Sequence, residues 1–311
     1  MPNDYDVLII GGGLAGLTAG MFSARYGLNT GIVEQMMGGA QIINLEKIEN
    51  FPGFPEGIAG AELGPAAQEQ AMDAGANFVM GEVTGITSDG EYKVVDCDSG
   101  PYRSKSVIIA TGSTLRQLNI GEDQFDGRGI SHCATCDGPF YMGHTVGVVG
   151  GGDSAADEAL TLTEYADRVL LFHRRDQFKA QRILQDRLVS NSKIDIYWNT
   201  EIQSVLGEDT VSGVRAHNVV TNLDTVVDLS GLFIYVGLEP NSDWLGNVVK
   251  RDRAGHIEVD VSMETSVAGI FAAGDIRQNS VSQLISSAGD GATAAISAFK
   301  YIRGRNWHAR D

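Results

Sequence analysis

The sequence predicts an α/β protein made of two Rossmann-like dinucleotide-binding domains, with the second inserted into the first and a small β-meander in each. Two observations carry this prediction. An apolar strand pattern followed by GxGxxG opens the chain, and the same strand–glycine–helix pattern recurs near the middle as GxGxxA. The predicted boundaries assign residues 1–114 and 244–311 to the first domain and residues 115–243 to the second.

The first motif consists of Gly11, Gly13 and Gly16, which follow a buried-strand pattern and open an alanine-rich helical stretch. A second strand then ends at Glu34. In such a unit the glycines permit a tight turn and close approach of the backbone, and the helix N-terminus favours a pyrophosphate. An acidic residue at the end of the second strand suits ribose hydroxyls, so the stretch predicts a dinucleotide site.

The second motif, Gly150, Gly152 and Ala155, follows the strand pattern of residues 145–149. The next strand ends in His173-Arg174-Arg175 instead of an acid, and Lys179 comes a helical turn later. Cations at this point of a βαβ unit favour a ribose that carries a 2′-phosphate, and therefore NADP over NAD. The opposite charges at the two strand ends predict two different dinucleotides.

Between the two motifs lie Cys133 and Cys136, separated by two residues and followed by Asp137. A structural zinc site needs about four ligands, and Cys97 is the only other cysteine. The pair is therefore interpreted as a redox couple that cycles between disulfide and dithiol. From the residues alone, Asp137 is equally well a proton carrier for the thiols or a solvated turn residue.

The net charge and the N-terminal sequence argue against a nucleic-acid-binding protein and a membrane protein. The formal net charge of −17 over 311 residues argues against a nucleic-acid partner, because phosphates favour clusters of Lys and Arg. The first apolar run has no basic segment before it and ends at Gly11, too short for a signal peptide or a membrane span. We therefore expect a cytoplasmic protein that does not act at a membrane.

The remaining pattern predicts a helix over residues 61–75, meanders over 78–95 and 202–229, and a helix over 283–303 that is interrupted at 289–291. A buried strand over 107–110 leads to Thr111 and Gly112, which could close the first nucleotide site. Another buried strand ends at Gly274-Asp275. The residues leave open whether Asp275 caps a turn or holds a cofactor hydroxyl.

Seven motifs in this order resemble those of the low-molecular-weight, NADPH-dependent thioredoxin reductases, over essentially the whole chain. They are GGGLAG at 11–16, IENFPG at 48–53, ATG at 110–112, CATCDG at 133–138, GGGDSA at 150–155, HRRD at 173–176 and AAGDI at 272–276. The resemblance implies FAD in the first domain and NADPH in the inserted one. The FAD-binding residues it implies are Gly11, Gly13, Gly16, Glu34, Gln41, Asn50 and Asp275, with Gln283 near the flavin ring. Those it implies for NADPH are Gly150, Gly152, Ala155, Arg174, Arg175 and Lys179.

The resemblance also implies an electron path from NADPH through FAD to the cysteine pair, and on to thioredoxin or a similar small redox protein. In this family Cys136 would face the flavin, Cys133 would attack the partner disulfide, and Asp137 would be the acid–base. The family is homodimeric, and its inserted domain rotates to present either nicotinamide or disulfide to the flavin. Two departures are Val281-Ser282, where Tyr-Arg is often found, and Lys179, where arginine is common.

Three other functions are compatible with the two glycine motifs and the cysteine pair. A thiol oxidase would pass electrons from thiols through the flavin to oxygen, but it would not need the basic cluster. An NADPH-dependent reductase could act on a different disulfide, such as a peroxidase partner or a low-molecular-weight thiol. A regulatory nucleotide-binding protein could use the cysteine pair only to sense redox state.

Overall fold

The computed structural model describes residues 4–35 and 40–304. The chain forms two compact units, one from residues up to 114 and from 239 onward, the other from residues 115–238. The return to the first unit therefore lies at 238/239, whereas the sequence places it at 243/244. The reason is local, because Asn241 already hydrogen-bonds Thr111 and Gly112 of the first unit.

The strands, in chain order, are β1 Asp4–Ile10, β2 Thr30–Glu34, β3 Asn77–Met80, β4 Val83–Asp89, β5 Tyr92–Cys97, β6 Tyr102–Ile109, β7 Ser113–Leu115, β8 Ile130–Ser131, β9 Thr145–Gly150, β10 Arg168–His173, β11 Ile194–Trp198, β12 Thr200–Gly207, β13 Val211–Asn218, β14 Leu223–Asp228, β15 Gly231–Tyr235, β16 Leu238–Pro240 and β17 Ile270–Ala272. The α-helices are α1 Leu14–Arg25, α2 Gly60–Asp73, α3 Ala134–Asp137, α4 Asp153–Leu162, α5 Arg182–Ser190 and α6 Leu284–Arg303. Short 3-10 turns connect several of these elements.

The first unit is built on a seven-stranded sheet of order β3-β2-β1-β6-β5-β4, with β17 pairing β6. Strand β1 is buried on both faces: Val7 and Ile9 pack in one apolar cluster, while Leu8 and Ile10 pack in another. This is the pattern of a central parallel strand covered on both sides. The predicted meander is the β4-β5-β6 part of this same sheet, and Phe78 belongs instead to β3, a parallel edge strand beside β2.

Helix α6 runs without interruption through residues 289–291, contrary to the break that the sequence suggests. A methyl group on Gly291 would lie 2.1 Å from the carbonyl oxygen of Ala15 in α1. The glycine is therefore required by the close crossing of two helices and not by a turn. This crossing brings α6 against the start of α1, where the first glycine motif lies.

The second unit carries a five-stranded parallel sheet of order β11-β10-β9-β15-β8 and a three-stranded antiparallel sheet, β12-β13-β14. The three-stranded sheet is the predicted second meander. Helices α4 and α5 cover one face of the parallel sheet through a cluster that includes Val148, Ala159 and Leu184. Both units therefore have the strand–glycine–helix–strand order that the two motifs predict, and the fold class is confirmed.

Candidate active site

The first glycine motif is a tight connection between β1 and α1. Gly16 must be glycine, since a methyl group there would lie 1.8 Å from the carbonyl oxygen of Gly11. Gly11 itself has a φ of 107°, in the region that favours glycine. Gly13 is the N-cap of α1, has no side-chain capping bond and would place a methyl group in open space. The turn thus offers the N-terminal N–H groups of α1 to an anion.

Glu34 ends β2 directly beside this turn. Its Oε2 accepts a short hydrogen bond from the backbone N–H of Gly12, and its Oε1 accepts one of 2.7 Å from the N–H of Gln35. The two bonds fix the carboxylate at the edge of the glycine turn. It is therefore placed where an acid can accept from ribose hydroxyls while the pyrophosphate lies at α1.

Three other predicted residues, Gln41, Asn50 and Gln283, each hydrogen-bond a distant part of the first unit. The Asn50 amide donates to Oε1 of Gln283 at 2.9 Å, although 233 positions separate the two residues. The Gln41 amide donates to the carbonyl oxygen of Ser113 at 2.8 Å. Both contacts hold side-chain amides in fixed positions, and an amide has several donor and acceptor sites.

Thr111 and Gly112, also predicted, follow β6 and are tied to the returning chain. The Thr111 hydroxyl donates to the carbonyl oxygen of Asn241 at 3.0 Å, and the Asn241 N–H donates to the carbonyl oxygen of Gly112 at the same distance. The Asn241 amide completes the set with a 2.9 Å bond to the Thr111 carbonyl. These bonds hold the loop next to the C-terminal end of the parallel sheet, where α/β proteins bind ligands.

Gly274 and Asp275 form the turn after β17. Oδ1 of Asp275 accepts hydrogen bonds from the hydroxyls of Ser280 at 3.0 Å and Ser287 at 3.3 Å. The N–H of Gly274 donates to Asp290, a residue of α6 whose side chain is only 8% exposed and which pairs with Arg277. This buried ion pair was not predicted from the sequence, and it fixes the backbone of the Gly274-Asp275 turn.

The second glycine motif repeats the first in the other unit. Gly152 is the N-cap of α4, again without a side-chain capping bond and with open space at the position of a methyl group. Gly150 lies close to the side chain of Ala155, because a methyl group on Gly150 would be 2.5 Å from the Ala155 Cβ. The N-terminus of α4 is therefore a second place where backbone N–H groups can hold a pyrophosphate.

Arg174, Arg175 and Lys179 follow β10 and are all exposed. Their loop is held against the glycine turn by a 2.7 Å bond from the N–H of Lys179 to the carbonyl oxygen of Gly151. His173 is excluded from this cationic surface, because its ring is 7% exposed and packs under Gly151. Three cations at the strand end thus stand where the first unit has a carboxylate.

Cys133 and Cys136 form a disulfide whose Cα atoms are 5.4 Å apart. Cys133 is the N-cap of the four-residue helix α3, and its Sγ accepts a 3.2 Å hydrogen bond from the N–H of Cys136. Cys136 is exposed, whereas Cys133 is only partly so. Cys136 is therefore the more exposed residue of the pair.

Asp137 ends α3 beside a group of ionisable side chains that no motif in the sequence marks. Burial, with help from Asp137, raises the pKa of Tyr141. Burial also raises the pKa of Tyr235, and the carboxylates of Glu158 and Asp137 add to that effect. Glu158 accepts a 2.6 Å hydrogen bond from the N–H of Ala134, the residue directly after Cys133. No sequence signal marks Glu158 or Tyr235, since they lie far along the chain from the cysteine pair.

Comparison with known proteins identifies the family. Residues 5–292 match the family described as "Pyridine nucleotide-disulphide oxidoreductase". The chain belongs to this family. It is 42% identical to the thioredoxin reductase of Bacillus subtilis and 40% identical to that of Listeria monocytogenes, in each case over 96% of this chain, and over 95% and 94% of the relative. A crystal structure of Lactococcus lactis thioredoxin reductase matches with a TM-score of 0.95 and 41% identity, over 97% of this chain and 100% of the other.

As a member of this family the protein is a flavoprotein disulfide oxidoreductase, and the residues present fit both cofactors. Each unit has a glycine turn with an uncapped helix N-terminus for a pyrophosphate. The acid of one unit suits an unmodified ribose, and the cations of the other suit a 2′-phosphate. In residues 4–35 and 40–304 no helix is long and apolar enough to cross a membrane.

Proposed function

We propose that this protein is a thioredoxin reductase in which FAD is held by the first unit and NADPH by the second, and in which the Cys133–Cys136 disulfide passes the electrons to thioredoxin. One observation carries the proposal beyond family membership: the redox disulfide and a cationic strand end lie in one unit, while an acidic strand end lies in the other. This arrangement supports two different dinucleotides and a single disulfide.

When bound, NADPH supplies a hydride and FAD relays its two electrons as a pair to a disulfide. In the first unit, Glu34 would accept from ribose hydroxyls and Asp275 from a cofactor hydroxyl, while the N–H groups after Gly13 would hold a pyrophosphate. In the second unit, the N–H groups after Gly152 would hold the other pyrophosphate. Arg174, Arg175 and Lys179 would distinguish NADPH from NADH by the charge of its 2′-phosphate.

The chemistry of the chain itself is thiol–disulfide exchange. Reduction breaks the Cys133–Cys136 bond and adds two electrons and two protons, giving two thiols. The Cys133 thiolate then attacks a sulfur of the thioredoxin disulfide, and a mixed disulfide forms as the first partner thiolate leaves. The Cys136 thiolate resolves it, which restores the enzyme disulfide and releases the second partner thiolate. Asp137, at the end of α3, would carry the protons that these steps release and consume.

An apolar surface next to the disulfide supports a protein substrate. Phe140 is 78% exposed and Met142 is 65% exposed, both within six residues of exposed Cys136. Exposed large apolar side chains beside a reactive group suit a protein partner that covers them on binding. We expect Phe140→Ala to raise KM for thioredoxin about tenfold, the loss typical of an interface anchor, with NADPH reduction of the flavin unchanged.

The matched control for that variant is Val220→Ala, which removes an apolar side chain that is 72% exposed elsewhere in the same unit. It is expected to leave KM for thioredoxin unchanged. Equal effects of the two substitutions would contradict a docking role for Phe140.

The proposal extends to a homodimer in the cytoplasm. The homodimer is supported by the resemblance to the low-molecular-weight reductases, which act as dimers. The location is supported by the cysteine usage, because a redox couple that must cycle suits a reducing compartment. Light scattering of the purified protein measures the assembly, and a monomer at micromolar concentration would contradict it.

Anaerobic mixing tests the function as a whole. The purified protein is mixed with NADPH, or with NADH, and thioredoxin is added while flavin absorbance is followed. We expect bleaching by NADPH and reoxidation by thioredoxin. Bleaching without reoxidation would refute thioredoxin as the substrate in favour of another disulfide. No bleaching would refute NADPH-dependent reduction in favour of an oxidase or of an enzyme with a different electron donor.

A further inference from the structure

Glu158 is a carboxylate that the proposed chemistry does not use, yet it contacts the backbone of the redox motif. It lies on α4, and its Oε2 accepts a 2.6 Å hydrogen bond from the N–H of Ala134. That amide belongs to the peptide bond between Cys133 and Ala134, and Ala134 is fully buried. A carboxylate from a neighbouring helix therefore accepts a hydrogen bond from a backbone amide of the ring that the disulfide closes.

Other ionisable groups surround this carboxylate. The phenol of Tyr235 on β15 is buried beside Glu158, and burial together with the Glu158 carboxylate raises its pKa. Helix α3 contributes Asp137 and the two sulfurs, and Tyr141 follows in the next turn, close to Asp137. His132 precedes the pair, with Nδ1 lying 3.1 Å from the carbonyl oxygen of Ile234. Apart from His132, these groups are acidic.

We propose that Glu158 is a positioning residue that anchors the backbone of the Cys133–Cys136 turn and whose negative charge keeps the reduced pair strongly reducing. The inference rests on the proposed function, since it concerns the same disulfide. It has two physical components. The carboxylate holds the Ala134 amide and with it the backbone between the two cysteines. Its charge also opposes a second negative charge on a nearby sulfur.

The charge acts on the equilibrium between the Cys133–Cys136 disulfide and its reduced pair. The disulfide gains two electrons and two protons to give two thiols, and any loss of a thiol proton further stabilises the reduced state. A pair whose thiolate is well stabilised is a strong oxidant, because its reduced form is favoured. By disfavouring the thiolate, Glu158 shifts the pair the other way, toward a stronger reductant. The shift grows with pH, since it acts only on the ionised form.

The test uses Glu158→Gln, which retains an oxygen acceptor for the Ala134 amide and removes only the charge. The full-length protein is reduced with dithiothreitol and alkylated with iodoacetamide across pH 6 to 10. Mass spectrometry of peptides separates Cys133 and Cys136 from Cys97. We expect the thiol titration to move down by about one pKa unit, which is roughly a tenfold rise in thiolate fraction at a given pH. The potential of the pair should rise with pH relative to the wild type, by up to about 30 mV for a tenfold change in equilibrium constant.

Glu164→Gln is the matched control, because it makes the same change at an exposed position just after α4. It should leave the thiol titration unchanged. A second variant, Glu158→Ala, also frees the Ala134 amide and should shift the titration at least as far. An unmoved titration in Glu158→Gln, or an equal movement in the control, would overturn the inference. The alkylation needs neither NADPH nor thioredoxin, so failure of the proposed function would be seen separately as absent turnover in the wild type.

Discussion

The cationic strand end of the second unit should set how strongly the enzyme prefers NADPH to NADH. Replacing Arg175 with alanine removes one of three exposed cations after β10 and leaves the loop backbone in place. That backbone is held independently, since the N–H of Asn199 donates to the carbonyl oxygen of Arg175 at 3.1 Å and Lys179 binds Gly151. The substitution therefore tests charge without dismantling the site.

A hydrogen bond to a charged group contributes about 1.5–3 kcal/mol. Arg175 is exposed, so water and salt screen the interaction and about 1–2 kcal/mol remains. Since 1.4 kcal/mol corresponds to a factor of ten, kcat/KM for NADPH should fall about 5- to 30-fold. NADH has no 2′-phosphate, so its kcat/KM should change about twofold or less.

The assay measures kcat/KM for both nucleotides with a saturating disulfide substrate. Arg182→Ala serves as the control, because its side chain is 83% exposed and pairs with Asp186 within α5. The ratio of NADPH to NADH should fall in Arg175→Ala and stay constant in the control. A parallel loss for both nucleotides in Arg175→Ala would refute recognition of the 2′-phosphate by this side chain.

Three further predictions address the disulfide and its support. Cys136→Ser should leave a flavin that NADPH still reduces but should abolish disulfide turnover, whereas Cys97→Ser should retain turnover; full activity of the first variant would refute the electron path. Asp137→Asn should slow reoxidation by thioredoxin more than hydride transfer in stopped-flow traces, because only reoxidation moves thiol protons, and equal slowing would argue against that role. Asp290→Asn breaks an ion pair whose side chains are 15% and 8% exposed, which costs about 3 kcal/mol, so calorimetry should show Tm lower by about 6–12 °C. An unchanged Tm would show that this pair does not stabilise the first unit.

The two nucleotide-binding units could be predicted because their signals are local. A strand, a glycine turn and a helix lie within about 20 residues, and each part has its own chemistry. The difference in charge between Glu34 and the Arg174-Arg175 pair could be predicted for the same reason. Each lies at the end of a strand that the apolar pattern of the sequence marks.

What the sequence did not reveal depends on contacts between distant segments. Glu158 reaches Ala134 from another helix, and Asp290 reaches Arg277 across a turn, and neither contact has a periodic signal. The break suggested in α6 was wrong for a related reason. Gly291 resembles a helix breaker in the sequence, but the need for it arises only from the crossing with α1.

Four glycines of the two units fall into two kinds, with a consequence for engineering this scaffold. At Gly16 and Gly291 an added methyl group would meet the backbone of another segment at about 2 Å, so these positions are closed to every side chain. At Gly13 and Gly152 the same methyl group would meet only open space. Substitutions at Gly13 should therefore yield folded, colourless apoprotein, and those at Gly152 should yield folded, yellow protein that binds NADPH weakly. Substitutions at the first kind should yield inclusion bodies. A library sorted first for solubility, then for yellow colour and for bleaching by NADPH, would separate architecture from recognition of each cofactor, position by position.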